Sequence, residues 1–112
     1  MPVARLKRVY EAPAAADGMR VLVDRLWPRG LSREKAQVDL WLKEVAPSDA
    51  LRHEFHDHQD RFDAFRKAYA AELRGNPALE ELRKLARKRR VTLLYGFRDP
   101  QHNQAVVLKE LL

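Results

Sequence analysis

The stretch Val23 to Ser32, VDRLWPRGLS, brings two guanidiniums, an indole, a carboxyl and a turn glycine close together along the chain. Arg25 and Arg29 offer planar forks of N–H donors that match phosphate and carboxylate oxygens. Gly30 frees backbone N–H groups for close approach, and Ser32 marks a helix start, whose first N–H groups lack partners of their own. Arg25, Trp27, Arg29, Gly30 and Ser32 therefore form a candidate anion site, in which the two arginines hold the charge and Trp27 stacks on it or shields it. The same residues also suit a structural arrangement. There a carboxylate such as Asp24 pairs with Arg25, and Trp27 packs as a lid over the core.

Two further stretches add polar groups. Tyr95 and Gly96 stand at the end of the second strongly apolar run, and Arg98 and Asn103 come after it. If the two runs are neighbouring strands, their exit loops face each other. The Tyr95 hydroxyl and Asn103 amide would then either orient a ligand or bond the loops together. The stretch Pro47 to His58 places Ser48, Arg52, His53 and His56 close together, with the two histidines at i, i+3 on one helical face. Ser48 and Arg52 join the candidate anion set. The histidine spacing would admit a metal ion or a His–carboxylate acid/base pair. A zinc site needs three or four ligands, however, and a solvated helix flanked by Asp and Glu is the simpler account, so no metal site is expected.

Charge is concentrated in one place. The stretch Arg83 to Arg90 holds Arg83, Lys84, Arg87, Lys88, Arg89 and Arg90 and no acidic residue, and the remaining 16 basic residues equal the 16 acidic ones. The net charge of +6 thus belongs to this run. It suggests a second reading, non-specific contact with nucleic acid or another polyanion, whose affinity would fall with salt. Half of its meaning is local, because positive charge at a helix end complements the macrodipole. No helix-turn-helix pattern, zinc finger or aromatic RNA platform accompanies it. Nor is there a P-loop, GxGxxG, GxSxG or HExxH motif, so no nucleotide or metal cofactor is expected and no catalytic residue is identified.

The elements that must position these groups follow from periodicity. Val3 to Val9 alternates apolar and basic residues as a strand or extended arm does, and Arg20 to Leu26 is a short apolar, β-branched run that reads as a buried strand. Pro28 and Gly30 break it. Ser32 is then an N-cap for a helix carrying Val38, Trp41, Leu42 and Val45 at i, i+3, i+4 and i+7, ended by Pro47. Ser48 opens a second helix with Leu51 and Phe55. A longer one carries Phe62, Phe65, Tyr69 and Leu73 and closes at Gly75. Asn76-Pro77 starts the next, with Leu79, Leu82 and Leu85 as its stripe. Val91 to Phe97 reads as another buried strand, and Ala105, Leu108 and Leu111 favour a C-terminal helix. Strands separated by helices imply a small, mainly parallel sheet flanked by helices, a compact three-layer α/β domain. In such a sheet ligands bind outside the carboxyl ends of the strands, where the candidate residues cluster.

A chain of 112 residues suits one domain with one core, and its 46% apolar and 34% charged residues describe a folded chain rather than a disordered one. No run approaches the ~20 apolar residues of a membrane span, and the first residues lack the apolar core of a secretory signal. With no cysteine, disulfides, thiolate metal sites and a Cys nucleophile are excluded, and a cytoplasmic location is expected.

The segments VDRLWPRGLS, APSDALRHEF, FRKAYAAEL, VTLLYGFRD and NQAVVLKELL, in this order, resemble the YeaO-like branch of the family called domain of unknown function 488. The resemblance runs from Arg8-Val9-Tyr10 to Leu112. It implies a compact bacterial-type α/β domain whose signature positions are Asp24, Arg25, Trp27, Pro28, Arg29, Gly30, Ser48, Leu51, Arg52, Tyr69, Leu73 and Asn103. It implies no particular reaction. Family members often carry His-Asp-Pro after the Phe matching Phe55, where this chain has His56-Asp57-His58-Gln59.

Overall fold

In the computed structural model, which describes residues 4–112, four short segments pair into one sheet. They are β1 (Arg5–Arg8), β2 (Met19–Leu22), β3 (Leu40–Trp41) and β4 (Val91–Tyr95). The spatial order is β1-β4-β2-β3, and every pairing is parallel. Val3, the first residue of the predicted N-terminal strand, lies outside the described residues. The helices are α1 (Arg33–Ala36), α2 (Asp49–Asp57), α3 (Phe62–Leu73), α4 (Pro77–Lys88) and α5 (Gln104–Leu111). The chain is an α/β fold.

Side chains along a strand alternate between faces, and the core divides accordingly. Val21, Val91, Leu93 and Tyr95 share one cluster with Phe55 of α2, Phe65 and Tyr69 of α3, Leu79 and Leu82 of α4 and Leu108 of α5. Leu22 and Leu94 point the other way, into a smaller cluster with Val9 and Ala36 that is covered by Trp27, Leu31, Val38 and Trp41. One face of the sheet thus carries four helices and the other a thin layer built from a single helical turn and two indoles.

That thin layer is where the structure departs from periodicity. The helix expected from Ser32 through Val45 is only the turn α1, because Gln37 adopts the left-handed conformation at φ 47°. Asp39 then docks on β2 through both its backbone and its side chain. Its N–H donates to Arg20 O at 2.9 Å, and its Oδ2 accepts from the Arg20 N–H at 2.8 Å. The chain continues as β3 and a short 3-10 turn at Lys43–Val45. Trp41 faces the thin layer whereas Leu42 and Val45 face the main core, so residues spaced like one helical stripe belong to two different layers.

Local signals elsewhere agree with the sequence. Ser48, Asn76 and Asn103 each cap a helix through a side-chain oxygen, Pro77 occupies the first turn of α4, and Gly75 has φ 73° just beyond α3. The two apolar runs form strands shorter than predicted, ending at Leu22 and Tyr95. The Val23 N–H still donates to Leu94 O at 3.1 Å, which carries the pairing one step towards the site.

Candidate functional site

Because β2 and β4 are direct neighbours and parallel, the loops after Leu22 and Tyr95 leave the sheet at the same edge. Between them lies a cleft of about 270 Å³. Arg25, Arg29 and Arg52 all line it.

The three guanidiniums are held differently. Arg25 donates through Nε to Pro47 O and through Nη2 to Ala46 O, each at 3.1 Å, and lies 3.9 Å from Asp49. It fastens the loop before α2 against the strand edge while keeping its positive charge in the cleft. Arg52, one helical turn beyond Ser48, has Nη2 3.5 Å from Asp49 Oδ1 and 3.3 Å from His53 Nε2. Its Nε is buried with no partner among the described residues, and an unmet buried donor costs roughly 1–3 kcal/mol. Arg29 is exposed, and among the described residues its side chain makes neither a hydrogen bond nor an ion pair. Its backbone is anchored, since Tyr10 Oη donates to Arg29 O at 2.8 Å.

Facing these cations is the carboxyl of Asp24. Its Oδ2 accepts from the Gly96 N–H at 2.9 Å and its Oδ1 from Gln104 Nε2. A Cβ on Gly96 would stand 2.9 Å from that same oxygen, so a side chain there would make the Asp24 carboxyl shift. Trp41 Nε1 donates to Asp24 O at 2.7 Å and fixes the backbone. Burial pushes the Asp24 carboxyl up to about 6, against the opposing pull of the two hydrogen bonds and of the Arg52 charge. Since the folded value lies above the unfolded one of 3.8, this group's contribution to stability is complete below 3.8 and is lost as pH rises through 6. Asp24→Asn should therefore gain on the natural protein by about 2 kcal/mol between pH 4 and pH 7.5, a figure lowered for the group's partial exposure. Urea unfolding at the two pH values measures the difference, and a gap independent of pH would rule out this assignment.

Trp27 packs as the predicted lid, and it also lines the cleft. Its Nε1 donates to Leu31 O at 2.6 Å and its edge meets Trp41 at a centroid distance of 5.5 Å, closing the thin layer. Gly30, at φ 75°, and Ser32, which caps α1, lie in the following loop outside the lining of the cleft. The other candidates are drawn elsewhere. Ser48 Oγ donates to Glu72 Oε2 at 2.6 Å, tying α2 to α3. Asn103 is buried, capping α5 through Oδ1 and donating to Asp99 O at 2.9 Å. Tyr95 sits in the main core.

Residues not singled out from the sequence complete the cleft. Gln104 follows the Asn103 cap and so starts α5 beside Asp24, and Tyr10 follows β1, whose parallel pairing with β4 brings its carboxyl end to the same edge. Phe55, Phe65 and Phe97 form the apolar side, with centroid distances of 4.4 Å for Phe55 to Phe65 and 5.4 Å for Phe55 to Phe97. His56, whose spacing from His53 the sequence had offered for a metal ion or an acid/base pair, lines the cleft as well. Among the described residues no three His, Asp or Glu side chains gather as metal ligands, and no helix is long and apolar enough to cross a membrane.

The family described as "Inactive DUF488-N3 subclade" matches residues 3–112 of this chain. "Uncharacterized protein Rv3073c" of Mycobacterium tuberculosis is 44% identical over 108 residues, covering 96% of this chain and 92% of that protein. "Uncharacterized protein YeaO" of Escherichia coli is 41% identical over 107 residues, covering 95% and 93% respectively. No solved structure matches.

Proposed function

We propose, since this chain belongs to the inactive DUF488-N3 subclade of the domain-of-unknown-function-488 family, that it is a binding protein whose strand-edge cleft takes a small anionic molecule bearing a phosphate or carboxylate. The observation that carries the reading is the convergence of Arg25, Arg29 and Arg52 on one cleft, where Asp24 is the only lining carboxyl among the described residues. Arg29 would be the principal contact, because its fork is already free. Arg25 and Arg52 would supply field and hold the wall in shape, and a low-dielectric apolar side strengthens such attraction. No residue is given a catalytic role.

The basic run at the end of α4 supports a second reading as a polyanion contact. Arg83 is engaged by Glu80 and Leu111 O, and Arg90 donates to Ala16 O at 3.4 Å. Lys84, Arg87, Lys88 and Arg89 are exposed. Arg90 immediately precedes β4, so this surface lies at the opposite edge of the sheet from the cleft, and one experiment separates the two.

Thermal unfolding at fixed ionic strength, with inorganic phosphate and a short oligonucleotide as separate ligands, tests both. A ligand at 100 times its Kd adds ~2.7 kcal/mol, roughly ten degrees for a domain of this size. Phosphate is expected to raise the midpoint of the natural protein and to raise that of Arg29→Ala much less. An equal response in both proteins removes Arg29 from the site. A response to the oligonucleotide alone, fading with salt and lost on charge reversal at Lys88 and Arg89, would transfer the function to the basic run.

A further inference from the structure

The cationic side of the cleft is only half of its wall. Opposite it, the rings of Phe55, Phe65 and Phe97 make a continuous apolar floor. At the rim stand Leu26, 61% exposed, and Tyr10, 42% exposed. Among the described residues only Tyr10, Leu26 and Leu112 are large apolar side chains this exposed, and two of the three border this one opening. An apolar group left in water at the mouth of a charged cleft gains when a ligand covers it. A purely hydrophilic anion would leave it wet.

Resting on the anion reading above, we propose that the cleft selects small anions with a flat apolar body, of the aryl carboxylate class, over equally charged hydrophilic ones. The volume of about 270 Å³ falls below the roughly 300–1,000 Å³ of clefts that hold drug-sized ligands, which suits a single ring with its acid group. The charge comes from Arg25, Arg29 and Arg52, which all line the cleft. The ring would lie along Phe97 and Phe55 beneath Leu26. Aromatic rings favour offset or edge contacts of this kind.

Calorimetric titration of the full chain with benzoate, acetate and benzyl alcohol, at pH 7 and constant ionic strength, tests the proposal on the natural protein, Arg29→Ala and Leu26→Ser. Both substituted side chains are exposed, and circular dichroism checks that each variant keeps the fold. Benzoate is expected to bind at least tenfold more tightly than acetate, equivalent to about 1.4 kcal/mol, and at least tenfold more tightly than benzyl alcohol. Arg29→Ala should weaken both acids, and Leu26→Ser should narrow the benzoate-to-acetate ratio without weakening acetate. Equal affinity for benzoate and acetate, both lost in Arg29→Ala, overturns this inference and leaves the anion reading standing, as does a ratio untouched by Leu26→Ser. Benzyl alcohol binding as tightly as benzoate, with no dependence on Arg29, overturns the anion reading and this inference with it.

Discussion

Gly18→Ala is expected to cost at least about 3–5 kcal/mol, a large share of the roughly 5–15 kcal/mol that holds a domain of this size together. Gly18 sits at φ 65°, ψ −135°, a region that side-chain-bearing residues essentially never occupy. A Cβ there would overlap Arg90 O and lie 2.8 Å from Arg90 Cβ. Arg90 cannot give way cheaply, because its O accepts the Met19 N–H at 2.9 Å, the contact that starts the pairing of β2 with β4. Strain and clash therefore act on the two central strands, whose far ends carry Asp24 and Gly96. Urea unfolding followed by circular dichroism measures the loss. A cost below about 1 kcal/mol would show that this edge relaxes and that the glycine is not required.

Arg20→Met is expected to lose about 3–5 kcal/mol at pH 7, the usual result of stripping the partner from a buried charge. Arg20 is buried, with Nη1 2.6 Å from Asp17 Oδ2, Nη2 2.8 Å from Ala36 O and Nε 3.1 Å from Gln37 O. It binds the turn before β2 and the end of α1 to the thin face of the sheet. Burial alone would push the Asp17 carboxyl up, but the Ala14 N–H, Arg20 and Lys7 together hold it below its ordinary value. In the natural protein this depressed carboxyl contributes stability above pH 3.8 that is lost as pH falls through the lower folded value. In Arg20→Met the carboxylate keeps only Lys7 at 3.2 Å and the Ala14 N–H, so the deficit against the natural protein should shrink on acidification. The double variant Asp17→Asn, Arg20→Met should lose less than the two single losses combined, since the stranded charge is gone. Additive losses, or a deficit independent of pH, would disprove the coupling.

Both effects lie at the amino edge of the sheet and the candidate site at the carboxyl edge, and the two edges differed in how far residue type alone revealed them. At the carboxyl edge, Arg25, Trp27 and Arg29 were recognisable because they follow an apolar run and a Pro-Gly turn, and their placement needs only that the run be a parallel strand. Ser48 and Asn103 carry equally suggestive side chains, yet each is engaged in capping. An N-cap oxygen is satisfied by the helix it starts, whatever the chain brings nearby. The apolar floor of Phe55, Phe65 and Phe97 was hidden for a different reason. Its rings come from α2, α3 and the loop after β4, and no local pattern distinguishes a core phenylalanine from one that borders a cleft.

The short segment from Gln37 to Val45 shows the same division most sharply. Its apolar spacing satisfies the helical period, but a backbone pairing between Asp39 and Arg20, distant in sequence, outweighs that weak local preference and turns the chain into an edge strand. What the amino-acid order determined by itself was everything set within a few residues: caps, turn glycines, strand runs, the α/β class and the concentration of charge. Only the tertiary structure decided which of the polar groups remain without a partner among the described residues and which apolar groups stand beside them. That choice depends on which donors and acceptors the neighbouring elements bring within hydrogen-bonding reach, and the packing of distant segments sets it.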